Sequence, residues 1–356
     1  MERRVILACV LAVTALCISG SVASAAEAKY NWKFANPYPA PHVDVLLQKF
    51  ASKVTEYSNG QIAIRFYPNG QLGTHDETFH GAQEGSIQIA QVTPYVHLIP
   101  GGVIWLPWTI SSYKEFNLAF ELDNGPKGPL AKLMEVAYGE VGLKPLFYRS
   151  NGGLGIANRI REVKTPDDFK GMKFRVSGSL AHVRVLENMC KGSGATFETM
   201  PAAEVYNALS KGVVDAIWES WLQLITERRG EVLKHFTVLD WGWDYNAIAI
   251  NKDLWEDLPD DLKKAITKAA EEVQPELSAV EQKKEEDITQ QVAKLFPQLT
   301  ITKLTEEQRD VFRQKADMPA VWNELCAPWF NKVFPGQDMV AKIIKELAEI
   351  REQAKK

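Results

Sequence analysis

The sequence predicts an α/β protein in which two domains, each a mostly parallel sheet flanked by helices, enclose a cleft. Strand and helix patterns alternate from residue 30, and the same alternation begins again after residue 150. The chain has 356 residues, a length typical of about two domains. Its composition, 46% hydrophobic and 24% charged, is ordinary for a protein that buries a full core.

Residues 1–25 are predicted to be a secretory signal peptide. Arg3 and Arg4 precede an apolar run over residues 5–18, and the Ala-Ser-Ala sequence at residues 23–25 matches a cleavage site. The run is too short for a transmembrane helix, and no later segment approaches about 18 apolar residues. We therefore expect a soluble protein that is exported to the periplasm.

The first α/β unit contains clear local signals. Thr74 and Glu77 have the spacing of a capping box, which predicts a helix start. Asn59-Gly60 is typical of a helix end. The predicted elements are, in order, a strand over 30–35, a helix over 42–58, a strand over 61–66, a helix from residue 74 and a strand over 86–92.

The second unit begins with Thr165-Pro166, a helix start with proline at its first position. Residues 152–155 and 192–194 are rich in glycine, but neither stretch completes a nucleotide-binding fingerprint, so both are interpreted as turns. The remaining predicted elements are a strand ending near Arg175, helices over 180–190 and 201–211, strands over 213–217 and 246–250, a helix over 262–295 mildly broken at Pro275, and helical segments over 305–356.

Charge and cysteine content exclude several functions. The 41 basic and 45 acidic residues give a net charge of −4 without a long basic run, so nucleic acid is not an expected partner. Cys190 and Cys326 remain after signal cleavage, and no zinc-type spacing occurs. They could pair in an oxidising compartment, although two free buried thiols are the favoured interpretation.

No catalytic motif is present. The sequence contains neither G-x-S-x-G nor H-E-x-x-H. His75 and His80 are five residues apart, which does not place them on one helix face, so we interpret them as solvated or cap-adjacent rather than as metal ligands. An enzyme is therefore not expected. A periplasmic hydrolase or lyase remains an alternative that would require a catalytic constellation.

Ligands in open α/β sheets bind outside the carboxyl ends of the strands, which selects residues 36–42, 91–95, 175–179 and 218–221. Arg175 is the most informative of these, because a guanidinium keeps its charge and is costly to bury alone. It could form an internal salt bridge with Asp215 or Glu219, or it could clamp the carboxylate of a ligand. Trp218 could form a wall of the same pocket.

Several long segments occur together in order: NGQIAIRFYPNGQLGTHDET, VKTPDDFKGMKFRVSGS and GATFETMPAAEVYNALSKGVVDA. In these the sequence resembles the extracytoplasmic solute receptors of tripartite ATP-independent periplasmic (TRAP) transporters, the DctP-type group. The resemblance implies two domains joined by hinge strands, braced by long helices and closing over a carboxylate. It implies domain I at residues 26–152 plus about 241–280, domain II at 153–240 plus about 281–334, and a C-terminal helix at 335–356.

The resemblance also implies roles. The arginine of the K-x-R-V-x-x-S strand, here Arg175, clamps the ligand carboxylate. The partners are a small organic acid and the small and large membrane subunits of a permease driven by an ion gradient, with no cofactor. The predicted substrate-binding residues are Arg175, Glu219, Trp218, Asn36, His42, Tyr95, Asn158 and Ser177. A sensing subunit for a membrane kinase is an alternative that the neighbouring genes would distinguish.

The sequence departs from the family pattern at two places. A second arginine of many members falls here on Leu154 or Gly155, and Glu219 stands where asparagine is common. The loss of a cation and the gain of an acid argue against a dianion. They predict a monocarboxylate with an apolar or aromatic body against Trp218, or an acid bound beside a metal cation at Glu219. The residues that could compensate for the missing arginine are Arg149, Asn158 and Arg159.

Overall fold

The computed structural model describes residues 28–95, 98–99, 108–122 and 125–356. The predicted signal peptide lies outside these residues. None of the described helices combines the length and the apolar character needed to cross a bilayer.

Ten strands are found in the described chain. They are β1 (Tyr30–Ala35), β2 (Ile62–Tyr67), β3 (Ile89–Val92), β4 (Leu143–Asn158), β5 (Lys173–Val176), β6 (Thr196–Thr199), β7 (Ala216–Ser220), β8 (His235–Val238), β9 (Trp243–Asn251) and β10 (Thr300–Lys303).

The helices of the described residues flank these strands. They are α1 (Pro41–Tyr57), α2 (His75–Gln83), α3 (Tyr113–Phe120), α4 (Pro129–Gly139), α5 (Leu180–Met189), α6 (Ala202–Lys211), α7 (Trp221–Thr226), α8 (Lys252–Asp257), α9 (Asp260–Leu295), α10 (Glu306–Ala316), α11 (Met318–Leu325), α12 (Ala327–Val333) and α13 (Met339–Ala354).

The strands form two sheets that are joined through β4, in the order β2-β1-β3-β9-β4-β7-β5-β6, with β8 beside β4 and β10 beside β8. In the first sheet β1 runs parallel to β2 and β3. In the second sheet β5 runs parallel to β6 and β7. Strands β4 and β9 are antiparallel to their neighbours. The predicted fold class, with two mostly parallel sheets flanked by helices, is confirmed.

Strand β4 belongs to both sheets. Its first part pairs with β9 as far as Gly153, and its last part, Leu154–Asn158, pairs with β7. The prediction that residues 152–155 form a turn is therefore wrong. The glycines are needed for close packing: a Cβ atom on Gly155 would lie 2.5 Å from the carbonyl oxygen of Thr237. The register shifts between Ser150 and Gly152, where Gly152 has φ +92°.

Local signals predicted several helix ends correctly. The capping box is present, with Thr74 N donating to Glu77 Oε2 at 2.7 Å. Helix α9 instead continues through Pro275 for 36 residues, so the predicted break is absent. The adjacent Gln274 exchanges hydrogen bonds of 2.8 and 3.0 Å with the backbone of Tyr148, and these hold the helix against β4.

Cys190 and Cys326 are free thiols in the described structure, and both are buried. Burial raises the pKa of each thiol to about 12. Both residues belong to the largest apolar cluster, so they pack as small hydrophobic side chains.

Candidate functional site

Arg175 lies near the carboxyl end of β5 and is 7% exposed. Its Nε and Nη2 atoms donate to the carbonyl oxygen of Met200 at 3.1 and 2.9 Å. No carboxylate of the described residues forms a salt bridge with it. Burial, followed by the charge of Arg229, lowers the pKa of Arg175. The guanidinium is thus a buried cation whose hydrogen bonds go to a neutral carbonyl.

The two acids considered as internal partners of Arg175 are bound elsewhere. Asp215 pairs with Arg159 at 3.6 Å and accepts a hydrogen bond of 3.1 Å from Lys173 N. Glu219 pairs with Arg229. Within the described chain, the structure therefore shows neither of the internal ion pairs that the sequence left open for Arg175.

Arg229 is a functional candidate that the sequence analysis missed. It is 2% exposed, its Nη1 donates to Glu219, and its Nη2 donates to Glu227 and, at 3.1 Å, to Ala202 O. Burial raises the pKa of Glu219 to about 7, against the lowering effect of Arg229. The sequence Arg-Arg-Gly at 228–230 has the composition of a solvated turn. The available signal was Glu219 itself, since an acid in a buried strand requires a counter-charge.

Both carboxylate oxygens of Glu219 are bound by groups of the protein. The carboxylate binds Arg229 through one oxygen and accepts a hydrogen bond of 3.1 Å from Ser220 N through the other. In the part of the chain that the structure describes, no group of three or more His, Cys, Asp or Glu side chains could hold a metal ion. The geometry at Glu219 is that of a buried ion pair.

Trp218 and Arg175 project from opposite faces of the second sheet. Arg175 is in register with Ile217, and successive residues of a strand alternate in direction. The Trp218 ring contacts His182 with a centroid separation of 3.6 Å and lies 6.2 Å from the Trp241 ring. Trp218 therefore belongs to an aromatic cluster beside the middle of β7, on the opposite face of the sheet from Glu219.

The first sheet contributes Tyr95, which follows β3 and contacts the His75 ring at 5.2 Å in an edge-on arrangement. Burial and the charge of Asp244 raise the pKa of Tyr95 to about 12, while Arg175 acts in the opposite direction. His75 is buried rather than solvated, and its Nε2 accepts a hydrogen bond of 3.0 Å from Thr93 N.

Asn36 and His42 occupy the same edge of the first sheet but contact other residues. Asn36 is fully buried, donates to Asp44 at 3.1 Å and accepts from Tyr38 N at 3.1 Å, so it orients the loop after β1. His42 is half-buried, and burial, with the charges of Arg149 and Lys284, lowers its pKa to about 3. His42 is therefore neutral at physiological pH.

Arg149 is fully buried in β4 and has several internal partners. Its Nε lies 3.4 Å from Glu281, its Nη1 donates to Gln91 at 3.1 Å, and its Nη2 donates to Asn151. Burial raises the pKa of Glu281 to about 8. Arg149, considered as a replacement for the missing family arginine, is held by this network. Leu154 is buried and apolar, and Gly155 leaves no space for a side chain.

The structure does not bring Asn158 to Arg175. Asn158 lies at the last position of β4, where its side-chain oxygen accepts hydrogen bonds of 2.9 Å from the backbone of Ile160 and Arg161. Ser177 directly follows β5, and its hydroxyl accepts a hydrogen bond of 3.4 Å from Ser179 N. Of the predicted residues, Arg175 and Ser177 lie at the carboxyl end of β5, Tyr95 follows the carboxyl end of β3, and Glu219 lies in β7. The structure adds Arg229 as the partner of Glu219.

The chain resembles a known protein family and several known proteins in sequence and structure. The family model described as bacterial extracellular solute-binding protein, family 7 (DctP), matches residues 40–327. The C4-dicarboxylate-binding periplasmic protein DctP of Rhodobacter capsulatus is 27% identical over 360 residues, covering 98% of this chain and 100% of that protein.

Two solved structures share the fold. A TRAP periplasmic solute-binding protein from Ochrobactrum anthropi, with its C-terminus bound in the ligand-binding pocket, has a TM-score of 0.77 and 24% identity, covering 92% of this chain and 97% of that one. A TRAP periplasmic solute-binding protein from Desulfovibrio salexigens, with bound orotic acid, has a TM-score of 0.77 and 22% identity, covering 90% and 99%.

Proposed function

The chain belongs to the bacterial extracellular solute-binding protein family 7, and on that premise we propose that it captures an organic acid anion and delivers it to a TRAP-type membrane permease. The family comprises solute receptors and not enzymes. Capture by such a receptor requires a charge that is complementary to the ligand and held in a site that excludes water.

The proposal depends on one observation: Arg175 is a buried cation whose hydrogen bonds go to a neutral carbonyl. It is 7% exposed, keeps its charge at any physiological pH, and makes hydrogen bonds to the Met200 carbonyl. An arginine fork binds a carboxylate through two parallel hydrogen bonds. The desolvation cost of Arg175 is offset when the ligand supplies the missing negative charge.

The other proposed binding residues lie on both sheets. Tyr95 follows β3 of the first sheet, and Ser177 follows Arg175 at the end of β5 in the second sheet. Glu219 acts by fixing Arg229, a neighbour of Arg175. Closure of the two sheets over an acid would bring Tyr95 against the carboxylate held by Arg175, as in hinge-bending binding proteins.

We infer that the acid has one carboxylate and an apolar or aromatic body. The position of the usual second arginine offers no cation, since Leu154 is apolar and Gly155 has no side chain. Arg149 is held by hydrogen bonds to Gln91, Asn151 and Glu281, and Arg229 is paired with Glu219 and Glu227. The aromatic cluster around Trp218 lies on the opposite face of the second sheet from Arg175, so contact of this cluster with an apolar part of the ligand is proposed from the sequence and not from this geometry.

The proposed location is the periplasm, reached through cleavage of residues 1–25. The R. capsulatus relative is described as periplasmic. The proposed partners are the two integral membrane subunits of the permease, which would recognise the closed, loaded form.

Thermal unfolding in the presence of a panel of carboxylates tests this proposal. The panel pairs each monocarboxylate with the dicarboxylate of equal length, such as butyrate with succinate, and includes benzoate and orotate. An acid present at about 100 times its dissociation constant should stabilise the protein by about 2.7 kcal/mol. Stabilisation by neutral analogues alone would contradict the proposal, and stabilisation mainly by dicarboxylates would contradict the monocarboxylate part.

A further inference from the structure

Two buried guanidiniums donate to carbonyl groups that are close together in the chain, just before and at the start of α6. Arg175 donates to Met200 O, and Arg229 donates to Ala202 O at 3.1 Å. These carbonyls are two residues apart on an extended backbone, since Pro201 between them has φ −58° and ψ 151°. Such a spacing is about 7 Å. Accordingly, the charge of Arg229 lowers the pKa of Arg175.

The two arginines differ in their compensation. Arg229 is bound by Glu219 on Nη1 and by Glu227 on Nη2, whereas Arg175 has no acidic partner among the described residues. With all four groups ionised, the two positive and two negative charges sum to zero. A ligand with one carboxylate on Arg175 brings the site to −1, and a second carboxylate would bring it to −2.

Glu227 and Glu219 are not equivalent partners of Arg229. Glu219 projects from a buried strand and its side chain is 1% exposed. Glu227 follows the last residue of α7, its side chain is 14% exposed, and its other oxygen accepts a hydrogen bond of 3.2 Å from Gln223. Glu227 thus approaches Arg229 from the accessible side, while Nε of the buried Arg229 makes no hydrogen bond in the described structure.

We propose that Glu227 is a specificity-determining residue: its carboxylate occupies Arg229 in place of a second ligand carboxylate and thereby restricts the site to monocarboxylates. The inference rests on the proposed function, in which Arg175 holds the first carboxylate. Arg229 then is a second cation beside the clamp that this chain neutralises itself. Like charges juxtaposed in a desolvated site repel strongly, so Glu227 excludes a dicarboxylate both by occupancy and by charge.

Removing the charge of Glu227 should therefore admit dicarboxylates. Glu227→Gln keeps the shape of the side chain and leaves Arg229 with Glu219 as its anion. Succinate binding is measured by titration calorimetry on wild type, Glu227→Gln and the matched control Glu231→Gln. Glu231 lies four residues further on, where it pairs with the exposed Arg228 and not with Arg229.

Glu227→Gln should bind succinate at least about tenfold more tightly than wild type, and Glu231→Gln should match wild type. Glu227→Ala should reproduce the gain, and it replaces Glu227→Gln if that variant does not fold. A succinate affinity within about threefold of wild type in the folded variant overturns the inference, as does tight succinate binding by wild type.

Failure of the proposed function gives a different result. If the gain at Glu227→Gln persists when Arg175→Ala is added, Arg175 is not the clamp, although Glu227 still controls access. If a panel acid binds wild type in an Arg175-dependent manner and Glu227→Gln does not bind succinate more tightly, the inference about Glu227 is wrong while the proposed function stands.

Discussion

Replacement of Arg175 by alanine is expected to abolish high-affinity binding of the cognate acid. The substitution removes a guanidinium that is 7% exposed and that we place against the ligand carboxylate. Truncating one member of a buried, hydrogen-bonded charge pair costs about 2–5 kcal/mol. That range corresponds to a loss of about 30-fold to several thousandfold in affinity. The low exposure of Arg175 favours the upper half of the range.

The same substitution should change the stability of the unliganded protein only slightly. Arg175→Ala removes two hydrogen bonds to Met200 O, but it also removes a buried charge and its repulsion by Arg229. These contributions have opposite signs and each amounts to about 1–3 kcal/mol. We expect their difference to be about 1 kcal/mol or less.

Titration calorimetry and melting curves on three variants test this prediction, with an acid identified by the panel. Arg175→Lys keeps the charge but loses the fork, so it should bind more weakly than wild type and more tightly than Arg175→Ala. Arg159→Ala is the charge-matched control, since Arg159 pairs with Asp215 on the surface of the same sheet. Wild-type affinity in a folded Arg175→Ala protein would refute the carboxylate clamp.

Two further predictions concern the scaffold. Burial raises the folded-state pKa of Glu281 to about 8, so its contribution to stability is full below the unfolded value of about 4.3 and is lost as the pH rises toward 8. Glu281→Gln should flatten the decline of Tm between about pH 5 and pH 8. The control Glu286→Gln, at an exposed position of the same helix, should leave that decline unchanged. Equal slopes of Tm against pH in wild type and both variants would contradict the raised pKa of Glu281. Gly155→Ala should lower the free energy of unfolding by about 1–3 kcal/mol or more, because its Cβ would meet the Thr237 carbonyl oxygen at 2.5 Å. The control Gly139→Ala, at the end of α4, should leave the free energy of unfolding unchanged in a denaturant titration. An unchanged free energy of unfolding in Gly155→Ala would show that β4 and β8 separate easily.

Sequence patterns predicted the elements that local chemistry determines. The strand over 30–35 is found with the predicted bounds, and the helix over 42–58 is displaced by one residue at each end. The helix predicted over 201–211 ends as predicted, and Gly212 directly after it has φ +72°. Each of these depends on alternation, a cap or a left-handed residue, and all three are readable within a few positions.

Elements fixed by distant contacts were not readable in this way. Residues 152–155 have the composition of a turn, yet they extend a strand that pairs with β9 and then with β7, and β8 packs so closely on Gly155 that a side chain has no space there. Pro275 normally interrupts a helix, but packing of Gln274 on β4 keeps α9 continuous. In both places tertiary packing outweighs local preference.

The candidate site also contains residues that local sequence patterns predict and residues that only tertiary contacts bring together. The alternation of apolar and polar residues predicted Arg175 near the end of a strand, and the structure confirms this position. Arg229 follows a six-residue helix without periodicity, and only the folding of α7 against β7 brings it to Glu219. An ion pair between residues ten positions apart, separated by a strand end, a short helix and a turn, leaves no local pattern, so the partner of Glu219 could not be identified from the sequence.

The strand shared by both sheets has a consequence for inheritance. A genetic crossover near codon 153 would join two half-strands from different parents. The upstream half must keep its register with β9 and the downstream half its register with β7, across a shift between Ser150 and Gly152. A hybrid whose parents differ there by one residue would turn every following side chain to the wrong face. Exchange of one sheet between homologues should therefore preserve the fold only where both parents have the same register along β4.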